Sequence, residues 1–227
     1  IMAITRIGPN QSINLASNVT GTLPAANVAN STLTNVTDLP TAVKGMDRLA
    51  TTSLSSSTSA VLFDVNSNND STFNNYSHYI IYMANVLGDA SSADIRCRVG
   101  VSSSSDIKTG NDYFRNSWAY KPNAGSTLVS SSSISDNYVA IARDDDIDST
   151  SRPQFGELHF FRKGNNGSTM KPGFYGTFYS ENTGGYFQAW KFQGSYESAL
   201  DINYVQITPG SGNFTKGDFT LMGIRNS

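Results

Sequence analysis

The 227-residue chain has 15% charged residues and a formal net charge of −2, against roughly a quarter charged in ordinary soluble domains. No basic run exceeds two residues, so the clustered Lys and Arg that neutralise phosphates are missing and nucleic acid is excluded as the expected partner. There is no apolar run near the ~18 residues of a spanning helix, and no basic head with an apolar centre marks a secretory leader; neither membrane insertion nor export by that route is expected.

Ser, Thr, Asn and Gly make up about 40% of the chain, and it holds 11 Tyr, 12 Phe and 2 Trp. Hydroxyls and amides replace charge at the surface. The aromatics argue against disorder, which goes with few aromatics and high net charge. Together with β-branched residues and many turn formers they read as all-β.

Residues 1 to 46 form one compositional block. Single apolar residues (Val19, Leu23, Val28, Leu33, Val36, Leu39, Val43) are separated by Asn, Thr, Ser and Ala. Their spacing fits no heptad, and Pro24 and Pro40 break any long helix. Asn18-Val-Thr with Thr22-Leu-Pro24 returns as Asn35-Val-Thr with Asp38-Leu-Pro40, a degenerate repeat. Such a segment has too little apolar surface for a core of its own. It is expected as an extended N-terminal arm that lies against copies of itself or another surface, with Leu23, Pro24, Leu33, Val36 and Leu39 as its assembly positions.

From about Arg48 strand patterns begin. In chain order they are Ala60–Val65, Tyr76–Asn85, Ala93–Val101, Asn116–Tyr120, Tyr138–Ala142, Gly156–Arg162, Gly173–Tyr179, Gly185–Phe192, Ile202–Pro209 and Asp218–Ile224. Turn formers separate them, and many alternate apolar with polar residues. Residues 47–227 are thus expected to fold as a jelly-roll-like β-sandwich. The serine runs Ser102–Ser105 and Ser130–Ser133 read as solvated turns. Cys97, the lone cysteine, sits in an alternating run and reads as a buried strand residue. Gly217 and Gly223 bracket the last strand; a positive φ at Gly223 would make it irreplaceable there.

No catalytic or cofactor constellation emerges. The two histidines, His78 and His159, both sit in strand patterns and read as structural. There is no Gly-x-Ser-x-Gly elbow, P-loop or His-Glu-x-x-His. Glutamate is confined to Glu157, Glu181 and Glu197, so a glycosidase pair assembled from distant positions is a third-rank reading. Asp144, Asp145, Asp146 and Asp148 form the densest acidic run; oxygen-rich loops suit Ca²⁺, while the plainer reading is a solvated loop. Asp64-x-Asn66-x-Asn68-x-Asp70 has calcium-loop spacing but Asn69 and Asn75 stand where Gly and Glu belong, which favours a polar turn. Two aromatic clusters, Tyr113-Phe114 with Trp118 and Tyr120, and Tyr186-Phe187 with Trp190 and Phe192, are candidates for ligand or interface contact. Of these, Trp118, Tyr120, Tyr186 and Trp190 are the leading candidates. Core packing is their plainer role. Alternation places Tyr186, Gln188 and Trp190 on one face, and Phe187, Ala189 and Lys191 on the other.

Gly21-Thr-Leu-Pro-Ala-Ala-Asn, followed by Leu33-Thr-Asn-Val, resembles a phrase that recurs in bacteriophage tail-fibre and related virion proteins. Toward the other end, Phe63-Asp64 leading to Asn74-Asn-Tyr-Ser-His-Tyr-Ile-Ile-Tyr-Met-Ala-Asn-Val resembles a fibre module. So does the last run, Gly217-Asp-Phe-Thr-Leu-Met-Gly-Ile224, with Met222 where Tyr is usual. Residues 100–200 match only in texture. The resemblance implies a homotrimeric virion protein of head-fibre or tail-fibre type. It implies contacts with other virion proteins and adhesion to a host surface glycan, with no catalytic residue. A capsid decoration protein is the alternative, and a polysaccharide-degrading spike a less favoured one.

Overall fold

The structure, a computed structural model, describes residues 45–65, 76–90, 93–121, 127–142, 150–161, 171–181, 185–198 and 202–225. All of them fall in one of the two units into which the chain divides, residues 44–227. The arm positions Leu23, Pro24, Leu33, Val36 and Leu39 lie outside the described residues. So do Asp144, Asp145, Asp146 and Asp148, and positions 66–75 of the second calcium-like motif.

Twelve strands and no helix occupy the described residues. They are β1 (Met46–Leu54), β2 (Val61–Asp64), β3 (Tyr76–Gly88), β4 (Ile95–Gly100), β5 (Tyr113–Lys121), β6 (Thr127–Asp136), β7 (Val139–Ala142), β8 (Gln154–Phe161), β9 (Gly173–Glu181), β10 (Phe187–Tyr196), β11 (Tyr204–Pro209) and β12 (Phe214–Arg225). They build an eight-stranded sheet, in the order β1-β12-β3-β8-β9-β10-β5-β6, and a four-stranded sheet, β2-β11-β4-β7. Every pairing is antiparallel.

Two hairpins, β5–β6 and β9–β10, account for the unequal sheets. Without them the remaining strands form two four-stranded sheets, β1-β12-β3-β8 and β2-β11-β4-β7, between which the chain alternates. That is the double Greek key of a jelly roll. The hairpins extend the first sheet beyond β8, and β7 packs beneath β9, β10 and β5. The expected jelly-roll-like β-sandwich is the fold.

Alternation decides which side chains form the core. On β10, Gln188, Trp190 and Phe192 point inward, while Phe187, Lys191 and Gln193 are exposed. On β8, Leu158 and Phe160 are buried between exposed Phe155 and Phe161. The sheets close over Val61, Phe63, Tyr79, Ile81, Cys97, Val99, Phe178, Trp190, Phe219 and Leu221. Each such large apolar side chain, buried rather than exposed, stabilises by about 1.5–3 kcal/mol. Cys97 on β4 is buried, as its alternating neighbours suggested.

The structure changes three local expectations. Ser130–Ser133 are not a turn but the middle of strand β6, at the open edge of the large sheet. An edge strand has one row of hydrogen-bonding groups facing solvent and tolerates hydroxyl side chains there. Met46–Leu54, unassigned from sequence, is the opposite edge strand β1. Gly223 owes its identity to space and not to φ. The positive-φ glycines among the described residues are Gly185, Gly212 and Gly217. A Cβ on Gly223 would stand 2.6 Å from the Tyr76 ring.

Candidate functional site

Cross-strand register carries one row of outward side chains across the whole large sheet. It runs Thr51, Thr220, Tyr82, Glu157, Thr177, Lys191, Trp118 and Ser130. This polar row separates two aromatic stacks on the same face. On one side Phe155 stacks on Tyr179 at 5.0 Å, and Tyr179 stacks on Phe187 at 5.5 Å. On the other side His78 stacks on Phe161 at 4.7 Å, and His159 stacks on Tyr175 at 4.7 Å. Such offset contacts fall in the favourable range of ring separations. Phe155, Phe161, Tyr175 and Phe187 are nevertheless 46%, 40%, 41% and 53% exposed. Exposed aromatic rings grouped in two such stacks make this face the candidate surface for contact.

The rings line up because the strands β3, β8, β9 and β10 place aromatics directly or diagonally opposite one another. Phe155 opposes Tyr179, His159 opposes Tyr175, and His78 opposes Phe161. Cross-strand pairs of this type add roughly 0.2–1 kcal/mol each.

Beside the second stack lies an open depression of about 420 Å³, lined by Phe114, Phe161, Gly173, Tyr175, Gln193 and Ser195 among others. It exists because position 173 carries no side chain. Gly173 opposes Ser195, which opposes Phe114, and a Cβ there would meet nothing within 4 Å. The aromatic wall is Phe161 with Tyr175, whose ring centres lie 6.0 Å apart at 25°. Gln193 supplies a hydrogen-bonding amide; no lining residue carries a formal charge, but the Ser195 hydroxyl donates to Glu197 Oε1, a carboxylate that also pairs with Lys171.

The histidines are part of this face. His78 Nε2 lies 3.0 Å from His159 Nδ1, and His159 Nε2 lies 3.4 Å from Glu157 Oε1. Partial burial, and then the neighbouring His159, lower the pKa of His78 below the usual imidazole value. It is therefore neutral at pH 7. Glu157 and Glu181 both face outward, but Glu157 opposes Thr177 and Glu181 lies four residues further along β9. At ~3.4 Å per residue that is about 14 Å, beyond the ~5–9.5 Å of glycosidase carboxylate pairs. Among the described residues no three His, Cys, Asp or Glu side chains converge as metal ligands.

The four leading aromatic candidates do not come together. Trp190 is 1% exposed and belongs to the core, with Gln188 beside it on the inner face as alternation required. Tyr186 precedes β10 and is 46% exposed, on the surface and not beside Trp190. Trp118 is half-buried on the outer face, in the polar row, opposite Lys191. Tyr120 is placed by its backbone opposite Ala189. The residues that do come together form two stacks, Phe155 with Tyr179 and Phe187, and His78 with His159, Phe161 and Tyr175; of these only Phe187 belonged to a cluster singled out from sequence. Their signal was present in β8, where Phe155, Glu157, His159 and Phe161 share one face. The opposite face of β8 is also apolar, so alternation alone did not say which one solvent meets.

No family model, curated protein or solved structure matches the chain.

Proposed function

We propose that the protein is a virion fibre-type binding protein, a homotrimer on the particle, whose sandwich adheres to a neutral glycan of the host surface. The observation that carries the binding part is the uncharged depression beside Phe161 and Tyr175. An aromatic wall gives a pyranose ring a face for its C–H groups. The Gln193 amide offers hydrogen bonds to its hydroxyls, and Ser195 Oγ, which donates to Glu197, can still accept one. A lining without charge favours a neutral sugar over an acidic one, because an unpaired carboxylate is costly to desolvate. Single sites of this size bind weakly, and three copies on one particle raise the overall strength by avidity. The virion part rests on the phrases near both ends of the chain. Two of them occupy the paired strands β3 and β12.

A second reading is a capsid decoration protein, which buries the same face against other virion proteins. Phe155 and Phe187 favour it, since both are exposed and neither lines the depression. Binding of purified protein to host cells and to immobilised neutral and acidic oligosaccharides separates the two. The adhesive reading expects neutral-sugar binding that falls at least tenfold in Phe161→Ala and Tyr175→Ala. Absence of any cell or sugar binding, with capsids destabilised when the protein is withheld, supports decoration instead.

A further inference from the structure

The geometry points to a divalent transition-metal site formed by His78 and His159 on the outer face of the large sheet, with Cu²⁺ or Ni²⁺ as the class of ion it fits. The facing nitrogens, His78 Nε2 and His159 Nδ1, are 3.0 Å apart. Two nitrogens bound at ~2.1 Å to one ion stand about 3.0 Å apart at a right angle and about 3.4 Å apart in a tetrahedron. The observed spacing is that of a hydrogen bond between the two rings, and it equals the right-angle spacing, so an ion could replace the proton without the strands moving apart. Square-planar and tetragonal nitrogen sites belong to Cu²⁺ and Ni²⁺, and imidazole suits both.

Three further features prepare the pair. His159 turns its other nitrogen, Nε2, toward Glu157 Oε1 at 3.4 Å. The carboxylate is close without being hydrogen-bonded, and its charge favours the tautomer with the proton on Nε2, which leaves the Nδ1 lone pair free. Both rings are held: His78 stacks on Phe161 and His159 on Tyr175, each at 4.7 Å. Both sit on neighbouring strands, β3 and β8, whose pairing sets the spacing. Without an ion, a proton on one ring fills the gap as a hydrogen bond. With an ion, His78 carries its proton on Nδ1 and offers Nε2, so no proton is lost overall. Only two protein ligands converge here, since no group of three exists among the described residues. Water completes the coordination, and the ion is exchangeable. This inference does not depend on the glycan reading.

The chain offers a clean background for the test. It has two histidines and one cysteine, and that cysteine is buried. Tag-free protein of this 227-residue sequence is titrated with Cu²⁺, Ni²⁺ and Zn²⁺ by calorimetry, and the Cu²⁺ form is examined by electron paramagnetic resonance. The expected result is one equivalent of Cu²⁺ with hyperfine coupling from two imidazole nitrogens. His78→Gln and His159→Gln should each weaken Cu²⁺ binding at least tenfold, and Glu157→Gln by roughly tenfold or more. The spectrum of the unaltered protein decides the matter even if a variant folds poorly. Coupling from fewer than two imidazoles, or Cu²⁺ binding unchanged in both folded histidine variants, would overturn the site and leave only a hydrogen-bonded pair.

Discussion

Replacing Asp136 with Ala tests what holds the two strands of the inserted hairpin β5–β6 to each other. Arg115 points inward from β5 and its side chain is 6% exposed, against 17% for Asp136. Its Nε donates to Asp136 Oδ2 and its Nη1 to Ser131 Oγ at 2.9 Å. The guanidinium also lies 5.6 Å from the centre of the Tyr138 ring. Removing Asp136 leaves that buried cation without its counter-charge. Breaking a buried pair on one side costs about 3–5 kcal/mol, a large share of the ~5–15 kcal/mol that holds a domain together. At ~2–4 °C per kcal/mol for a domain of 150–250 residues, the melting temperature should fall by about 6–20 °C. Calorimetry and urea titration measure it. The double variant Arg115→Met with Asp136→Ala removes both charges and should recover most of the loss, because an apolar replacement of a buried pair is often neutral. A single-variant cost below about 1 kcal/mol, or a double variant no better than the single, would refute the reasoning.

Three other outcomes follow from the packing and the charges. Gly176→Ala should destabilise by about 1–3 kcal/mol or more, because its Cβ would enter the Glu157 carbonyl oxygen and stand 2.7 Å from the Phe192 ring; an unchanged urea midpoint would contradict this. The Cys97 thiol is fully buried and burial pushes its pKa far up, so it should resist a disulfide reagent in the native protein and react at once in 6 M guanidinium; fast native labelling would count against the sandwich core. Asp89 accepts hydrogen bonds from the Asn213 backbone N–H at 2.6 Å and from its side-chain amide at 3.1 Å, and these hold its pKa below the ordinary carboxylate value. A depressed carboxylate pKa adds stability above the unfolded value that is lost as pH falls through the folded one. Asp89→Asn should therefore be less stable than the native protein at pH 7 and lose less on acidification below about pH 4; parallel stability curves from pH 7 to pH 2 would rule this out.

Much of the fold was legible because strand alternation is a local signal. His78-Tyr-Ile-Ile-Tyr-Met and Glu157-Leu-His-Phe-Phe carry it, and both are strands, β3 and β8. The serine run of β6 was not legible, because consecutive serines carry no apolar alternation and their extended form is set by pairing with β5 across the hairpin. β1 escaped for a different reason: it pairs with β12, at the far end of the chain. The aromatic face needed register between β3, β8, β9 and β10, which no single segment encodes. Trp190 looked like a binding residue by type, yet its alternation with Gln188 and Phe192 makes it core. The depression was invisible in sequence, since it arises from a missing side chain at Gly173 beneath rings from two strands.

The central claim is that the outer face binds a sugar in the depression over Gly173, and Gly173→Val tests it most directly. The new side chain meets open space, and a β-branched residue suits a strand, so the melting temperature should hold or rise. The same side chain projects into the depression beside Phe161 and Tyr175, where it would obstruct a sugar ring, so binding to neutral oligosaccharide and to host cells should fall at least tenfold. A folded Gly173→Val variant that binds both as well as the native protein would contradict the account.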